Sequence, residues 1–215
     1  MSPVSIIRGP AAPLLSPDID TETIIRVVRL MEFQRGEFGP YLFEPLRYFA
    51  DGSEDPQFIL NQHAFRHSNI LLAGPNFGCG SSREAAVWAL LDFGIQCVIA
   101  PSFGDIFLSN SVQNGLLPIV LEASRIDVIA REIRLDHPAI AVDLGLGLIS
   151  LPSGKTLTFS VPDGERQRLL TGMDEIAETL QFEDAIMHYQ RQLRVTNPWI
   201  FPDLISIPVD GSGAS

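Results

Sequence analysis

Apolar residues in this chain come in short blocks separated by polar, glycine-rich stretches. Ile70–Ala73, Cys97–Ala100 and Leu117–Leu121 are compact apolar runs, the pattern of strands buried on both faces. Between the first two, Ala85-Ala86-Val87-Trp88-Ala89-Leu90-Leu91 ends at Gly94. That predicts a helix over 82–93 with a glycine C-cap. A second helix is expected over 104–113. The alternation predicts an α/β fold with a central βαβαβ unit and parallel strands. Ala139–Leu144, Leu148–Leu151 and Leu157–Phe159 read as further strands, the last two joined by a hairpin at Pro152-Ser153-Gly154-Lys155. Helical patterning resumes from Asp163 to about Arg194, with breaks near Gly172 and Gln181.

The N-terminal part is less regular. It offers a turn at Ser16-Pro17-Asp18 and an apolar run from Ile24 to Leu30, interrupted by Arg26 and Arg29. Residues 31–57 are rich in glycine, proline and aromatics and predict a long, mobile loop with at most one short helix. The reading is one domain over 1–204 and a flexible tail over 205–215. No internal repeat is visible.

Composition narrows the function. A chain of 215 residues with 46% hydrophobic and 19% charged residues can bury a substantial core. Its net charge of −11 argues against nucleic acid, which selects basic patches. No apolar run approaches the roughly 18 residues that span a bilayer, and the first residues lack a basic segment followed by a long apolar one. The expected setting is cytoplasmic, with no membrane partner. The two cysteines, Cys79 and Cys97, cannot make a disulfide framework.

The densest chemistry lies in Gly74-Pro75-Asn76-Phe77-Gly78-Cys79-Gly80-Ser81-Ser82-Arg83-Glu84, between the first strand and its helix. Gly74, Gly78 and Gly80 permit a turn that a ligand can approach closely. Ser81 and Glu84 stand in the S-x-x-E spacing of a capping box. The helix N-terminus formed by Gly78, Cys79, Gly80 and Glu84 is expected to favour an anion, and Arg83 offers a planar fork for a carboxylate or phosphate. The alternative is an ordinary capped junction with a surface arginine. A Walker A loop is excluded because Lys155, the single lysine, lacks the upstream glycine. The dinucleotide fingerprint is excluded because Arg83 occupies its third glycine position.

The run Asn76 to Glu84 resembles the signature of the small subunits of isopropylmalate isomerases (3-isopropylmalate dehydratases), which correspond to the swivelling β/β/α domain of aconitase. The resemblance extends over most of the chain: Asp18-Ile19-Asp20-Thr21-Glu22-Thr23-Ile24-Ile25, Phe58-Ile59-Leu60-Asn61, Ala100 to Phe107, Asn114-Gly115-Leu116-Leu117-Pro118 and Leu170 to Ile176 match its blocks in order. It implies a hydro-lyase active only with a large subunit, acting on a small dicarboxylate or hydroxy acid in leucine biosynthesis. By position it implies that Ser81 is the catalytic base, that Arg83 grips a substrate carboxylate, and that Ser82, Asp20 and Thr21 contact substrate. It also implies a [4Fe–4S] cluster. Such clusters need three or four thiolates, so with two cysteines this chain binds no metal itself and the partner large subunit supplies the cluster. Related hydro-lyases for homoaconitate, citraconate and 2-methylmalate, or dimethylmaleate remain alternatives, as does a non-catalytic carboxylate-binding module. Ala85 stands where the family commonly has histidine, and Glu22 where it usually has aspartate.

Other candidates carry plainer readings. Asp20 and Thr21 also fit an Asx-type turn before a strand. Asp105 and Asn110 either line the same pocket or solvate a helix face. Asn114-Gly115 reads as a helix C-cap. Cys79 and Cys97 read as close-packed thiols. His63 and His67 stand at i and i+4, but no acidic third ligand follows at motif spacing.

Overall fold

A computed structural model describes residues 3–133, 135–173 and 175–200. In chain order its elements are β1 (Ile6–Leu14), the one-turn α1 (Thr21–Ile24), α2 (Val27–Glu32), α3 (Glu44–Arg47), β2 (Ile70–Ala73), α4 (Glu84–Phe93), β3 (Cys97–Ala100), α5 (Asp105–Asn114) and β4 (Leu117–Val120). There follow α6 (Ala123–Glu132), β5 (Ala139–Asp143), β6 (Leu148–Ser150), β7 (Thr156–Thr158), α7 (Asp163–Thr171), α8 (Glu175–Leu180) and α9 (Glu183–Thr196). The chain divides into two compact units after Met173, within the stretch read from sequence as one domain. The expected tail over 205–215 lies outside the described residues.

The first unit is built on one mixed sheet, ordered β4-β3-β2-β1-β5-β6-β7. β1 to β4 run parallel and β5 to β7 antiparallel. Every residue of β2 and β3 is buried, as their apolar runs require when both faces are covered. The expected βαβαβ unit is therefore present, with ends shifted by one or two residues. The hairpin at 152–155 joins β6 to β7, and breaks near Gly172 and Gln181 separate α7, α8 and α9.

Besides the short α1 and α2, two elements are additions to the sequence reading. β1 is central, pairing with β5 through Ile6–Pro10 and with β2 through Ala11–Leu14. Its Gly9, Pro10 and Pro13 argue against a central strand, because proline gives the ladder no donor. Switching partners at Pro10 resolves this: the Pro10 carbonyl accepts from Asn69 N (3.2 Å), and Ala11 N donates to the Pro138 carbonyl (2.9 Å). The other addition is α6, which buries Ile126 and Ile129, one turn apart on a single face.

The segment 31–57 is packed rather than a bare excursion. Phe38, Leu42 and Phe43 are buried, and the Asp92 carboxylate at the end of α4 accepts from Gly36 N (2.8 Å) and Phe38 N (3.0 Å). Arg47, buried in α3, donates to Asn61 Oδ1 and to the carbonyls of Pro40 and Leu42. Desolvation pulls its pKa below the usual arginine value. The second unit consists, among the described residues, of α8, α9 and a 3-10 turn at Pro198–Ile200. No side chain of α9 is buried.

Candidate functional site

Parallel β1, β2 and β3 deliver three loops to one edge of the sheet, where α/β folds characteristically build sites. The loops 15–20, 74–83 and 101–104 are joined by backbone hydrogen bonds. Asp18 N donates to the Pro75 carbonyl (3.0 Å), Gly78 N to Ile19 (2.8 Å) and Thr21 N to Cys79 (2.9 Å). On the other side, Phe77 N donates to Ser102 (3.1 Å) and Gly104 N to Phe77 (2.9 Å). Asn76 has a left-handed backbone, φ 59°, a region asparagine tolerates. Its amide nitrogen bonds Asp18 Oδ1 at 2.7 Å.

Under this loop lies an aromatic floor. The Phe77 ring is fully buried and stands edge-on to Phe107, 5.4 Å between centroids, with Phe103 at 6.4 Å. Gly78 passes directly over Phe107, and a Cβ built there would lie 2.3 Å from its Cγ. No side chain fits at that crossing. The loop then turns at Gly80, φ 88°, and presents Ser81, Ser82 and Arg83.

The expected capping box does not form. α4 begins at Glu84, its N-cap residue is Arg83 in an extended conformation, and no side chain caps it. The reason is tertiary. The Thr21 hydroxyl donates to the Ser81 carbonyl at 2.9 Å, and the bond from Thr21 N to Cys79 holds the loop extended beside α1. Ser81 is thereby kept two residues too early to cap α4. Glu84 instead accepts from Asn114 Nδ2 at 2.8 Å, across to α5, and Asn114 Oδ1 accepts from Trp88 Nε1 at 3.0 Å. Gly115, φ 85°, is the C-cap of α5, leaving the Asn114 side chain to tie α5 to α4.

Thr21, Gly78, Cys79, Gly80, Ser81, Arg83 and the start of α5 through Phe107 line one depression of about 240 Å³. Ser81 and Ser82 are exposed, and their hydroxyls have no hydrogen-bond partner among the described residues. Arg83 is mostly buried, its Nη1 paired with the Glu22 carboxylate and donating to the Ile25 carbonyl (3.4 Å). Asp20 does not line the depression: its carboxylate caps α1, accepting from Thr23 N at 2.7 Å. An Asx-like cap is thus present, but it opens a helical turn rather than a strand. That hydrogen bonding, aided by the Arg83 charge, holds the Asp20 carboxyl below its ordinary pKa. Asp105 sits at the rim as the first residue of α5, while Asn110 does not reach the depression. Glu22 and Asn114 were not picked out from sequence as contacts of the motif, since nothing local marks residues so distant along the chain as partners.

Neither thiol is built for metal. Partial burial, with Asp18 and Asp20 nearby, raises the Cys79 pKa. Cys97 is fully buried in β3, and burial raises its pKa as well. Among the described residues no group of three His, Cys, Asp or Glu side chains is placed to hold a metal ion. His63 and His67 lie in a run of turns, not on one helix. With Cys79 and Cys97 alone, the chain offers fewer thiolates than the three or four an iron–sulfur cluster takes. Among the described residues no helix is long and apolar enough to cross a membrane.

Larger depressions exist, of about 480 Å³ beside Tyr41 and Phe49 and about 520 Å³ beside Ile6 and Arg35. Neither includes a residue of the Gly78–Arg83 loop.

Residues 1–124 match the aconitase C-terminal domain. The chain is 43% identical to a 3-isopropylmalate dehydratase small subunit from Paramagnetospirillum magneticum, over 93% of this chain and 100% of the relative. It is 45% identical to one from Parvibaculum lavamentivorans, over 90% of this chain and 97% of that one. The crystal structure of a 3-isopropylmalate dehydratase from Methanocaldococcus jannaschii superposes with a TM-score of 0.62 at 29% identity, covering 86% of this chain and 99% of that chain.

Proposed function

Because the chain belongs to the aconitase C-terminal domain family, among the 3-isopropylmalate dehydratase small subunits, we infer that it is the small subunit of a heterodimeric hydro-lyase. The complex interconverts 2-isopropylmalate and 3-isopropylmalate by dehydration and rehydration, in the cytoplasm. The observation that carries the site assignment is the meeting of an uncommitted Ser81 hydroxyl and the Arg83 guanidinium in one depression. Iron–sulfur chemistry comes with the family. The [4Fe–4S] cluster is assigned to the large subunit, since this chain cannot ligate it.

The reaction removes a proton from carbon beside a carboxylate. Ser81 is the base in this reading, and it is not spent as a helix cap. A helix N-terminus is worth about 0.3–2 kcal/mol, on the order of one pKa unit, which is far too little to ionise a serine alone. Arg83 and exclusion of water on assembly must provide the rest. Arg83 takes a substrate carboxylate with Thr21 beside it, while the exposed Ser82, which does not line the depression, is a further substrate contact from its rim. Asp20 contributes by fixing α1 rather than by touching substrate. The depression, about 240 Å³, falls below the roughly 300–1,000 Å³ of ordinary ligand pockets. This supports a half-site whose other wall is the large subunit.

The test is anaerobic purification of the tagged chain with its companion, followed by assay of 2-isopropylmalate turnover. Ser81→Ala should lower kcat by roughly 10²–10⁴-fold with assembly intact, and Arg83→Lys should raise KM, because an ammonium cannot replace a bidentate fork. Near-normal turnover in Ser81→Ala would remove the base assignment. A second reading, a hydro-lyase for another hydroxy acid, is favoured by Ala85, buried at 4% exposure where the family commonly has histidine. A companion-bound but inactive complex would select it.

A further inference from the structure

Glu22 is the one acidic side chain that touches Arg83 among the described residues, and it takes only part of the guanidinium. Its Oε2 pairs with Arg83 Nη1, while its Oε1 accepts from Val27 N at 3.3 Å, the first amide of α2. Glu22 is thus itself braced. Arg83 Nη1 also donates to the Ile25 carbonyl, so both protein anchors fall on the same nitrogen. Nε and Nη2, the side-on edge of the fork, have no partner among the described residues. Arg83 at the same time lines the depression that holds Ser81.

The same chain shows what a filled fork looks like. Arg29 gives Nη1 to Glu32 (2.5 Å) and its side-on edge to Glu44, Nε at 3.0 Å and Nη2 at 2.5 Å. One carboxylate holds the tip and a second takes the edge. Arg83 has the first of these and lacks the second. Such bidentate contacts add orientation as well as energy.

We propose that Glu22 is a positioning residue that anchors Arg83 through Nη1 and presents the open Nε–Nη2 edge to a substrate carboxylate. The proposal rests on the assignment of Arg83 as carboxylate clamp. α1 then serves both functional side chains: Thr21 fixes the Ser81 backbone and Glu22 fixes the Arg83 fork. Glu22 is 46% exposed and Arg83 16% exposed at their side chains, so removing Glu22 frees the fork without opening the core.

The experiment uses the full chain co-purified with its large subunit. Glu22→Ala should raise KM about tenfold with kcat changed less than about threefold, the signature of lost substrate binding. Glu22→Gln, which keeps an acceptor for Nη1, should fall between. In an Arg83→Lys background Glu22→Ala should add almost nothing, because residues acting through one another are non-additive. A wild-type KM in Glu22→Ala, or full additivity with Arg83→Lys, would overturn the proposal. An independent readout is the Nε–H resonance of Arg83 in the ¹⁵N-labelled full chain. Its ps–ns order should drop in Glu22→Ala to that of exposed arginines, and an unchanged order would also overturn the proposal. Inactivity of the wild-type complex would strike the assigned reaction alone, leaving this resonance to decide on Glu22.

Discussion

Replacing Gly78 by alanine tests how the site loop is held over its floor. Gly78 has φ 72°, and an added Cβ would lie 2.3, 2.6 and 2.8 Å from Cγ, Cδ2 and Cβ of Phe107. These atoms cannot swing aside. Phe107 is 2% exposed, and its ring is packed edge-on to Phe77 and stacked on Phe103. A left-handed backbone costs a non-glycine residue about 1–2 kcal/mol, and overpacking adds about 1–3 kcal/mol. Gly78→Ala should therefore lose about 2–5 kcal/mol in total. Gly80 provides the control: its φ is 88°, but the nearest atom to an added Cβ is Asp20 Cβ at 3.4 Å. Gly80→Ala should show only the backbone cost of about 1–2 kcal/mol. At about 2–4 °C per kcal/mol for a chain of this size, thermal melts should fall by about 4–20 °C and 2–8 °C respectively. The measurement is the paired Tm difference, checked by urea midpoints at unchanged slope. Equal losses for the two variants would refute the steric argument and leave only the dihedral one.

Two further outcomes follow from α1. Thr21→Val keeps shape but removes the hydroxyl that holds the Ser81 carbonyl, at a stability cost of about 1 kcal/mol. Turnover of the assembled complex should drop by up to roughly 10²-fold, since small misplacements of reacting groups are costly, whereas Thr21→Ser should retain most of it; turnover within twofold of wild type in Thr21→Val would exclude the positioning role. Asp20→Ala should cost about 1 kcal/mol as a lost N-cap, measured by denaturant unfolding. Because the folded-state pKa of Asp20 is depressed, its contribution is present above the unfolded value near 3.9 and is lost as pH falls through the folded one. Melts of Asp20→Asn, which keeps a capping oxygen, should depend less on pH below about 4 than those of the wild type; identical acid profiles would count against the linkage.

What the sequence determined by itself was whatever depends on local periodicity or local composition. The apolar runs at 70–73, 97–100 and 117–121 read as interior strands, the segments closed by Gly94 and Gly115 read as helices, and two cysteines are too few for a cluster. The motif itself was legible, because glycines, serines and an arginine between a strand and a helix form a contiguous pattern. What tertiary structure decided was everything requiring two distant segments to meet. β1 hides its strand character behind Pro10 and Pro13 and is a strand because β2 and β5 bind opposite halves of it. The S-x-x-E pattern promised a cap, but Thr21, sixty residues away, holds Ser81 by its carbonyl and leaves its hydroxyl uncommitted. Glu84 and Asn114 find each other across two helices, and Glu22 finds Arg83 in the same way. Local propensities choose elements through interactions a few residues apart. The orientation of a serine and of one edge of a guanidinium depends on contacts that exist only after the sheet has brought its three loops together.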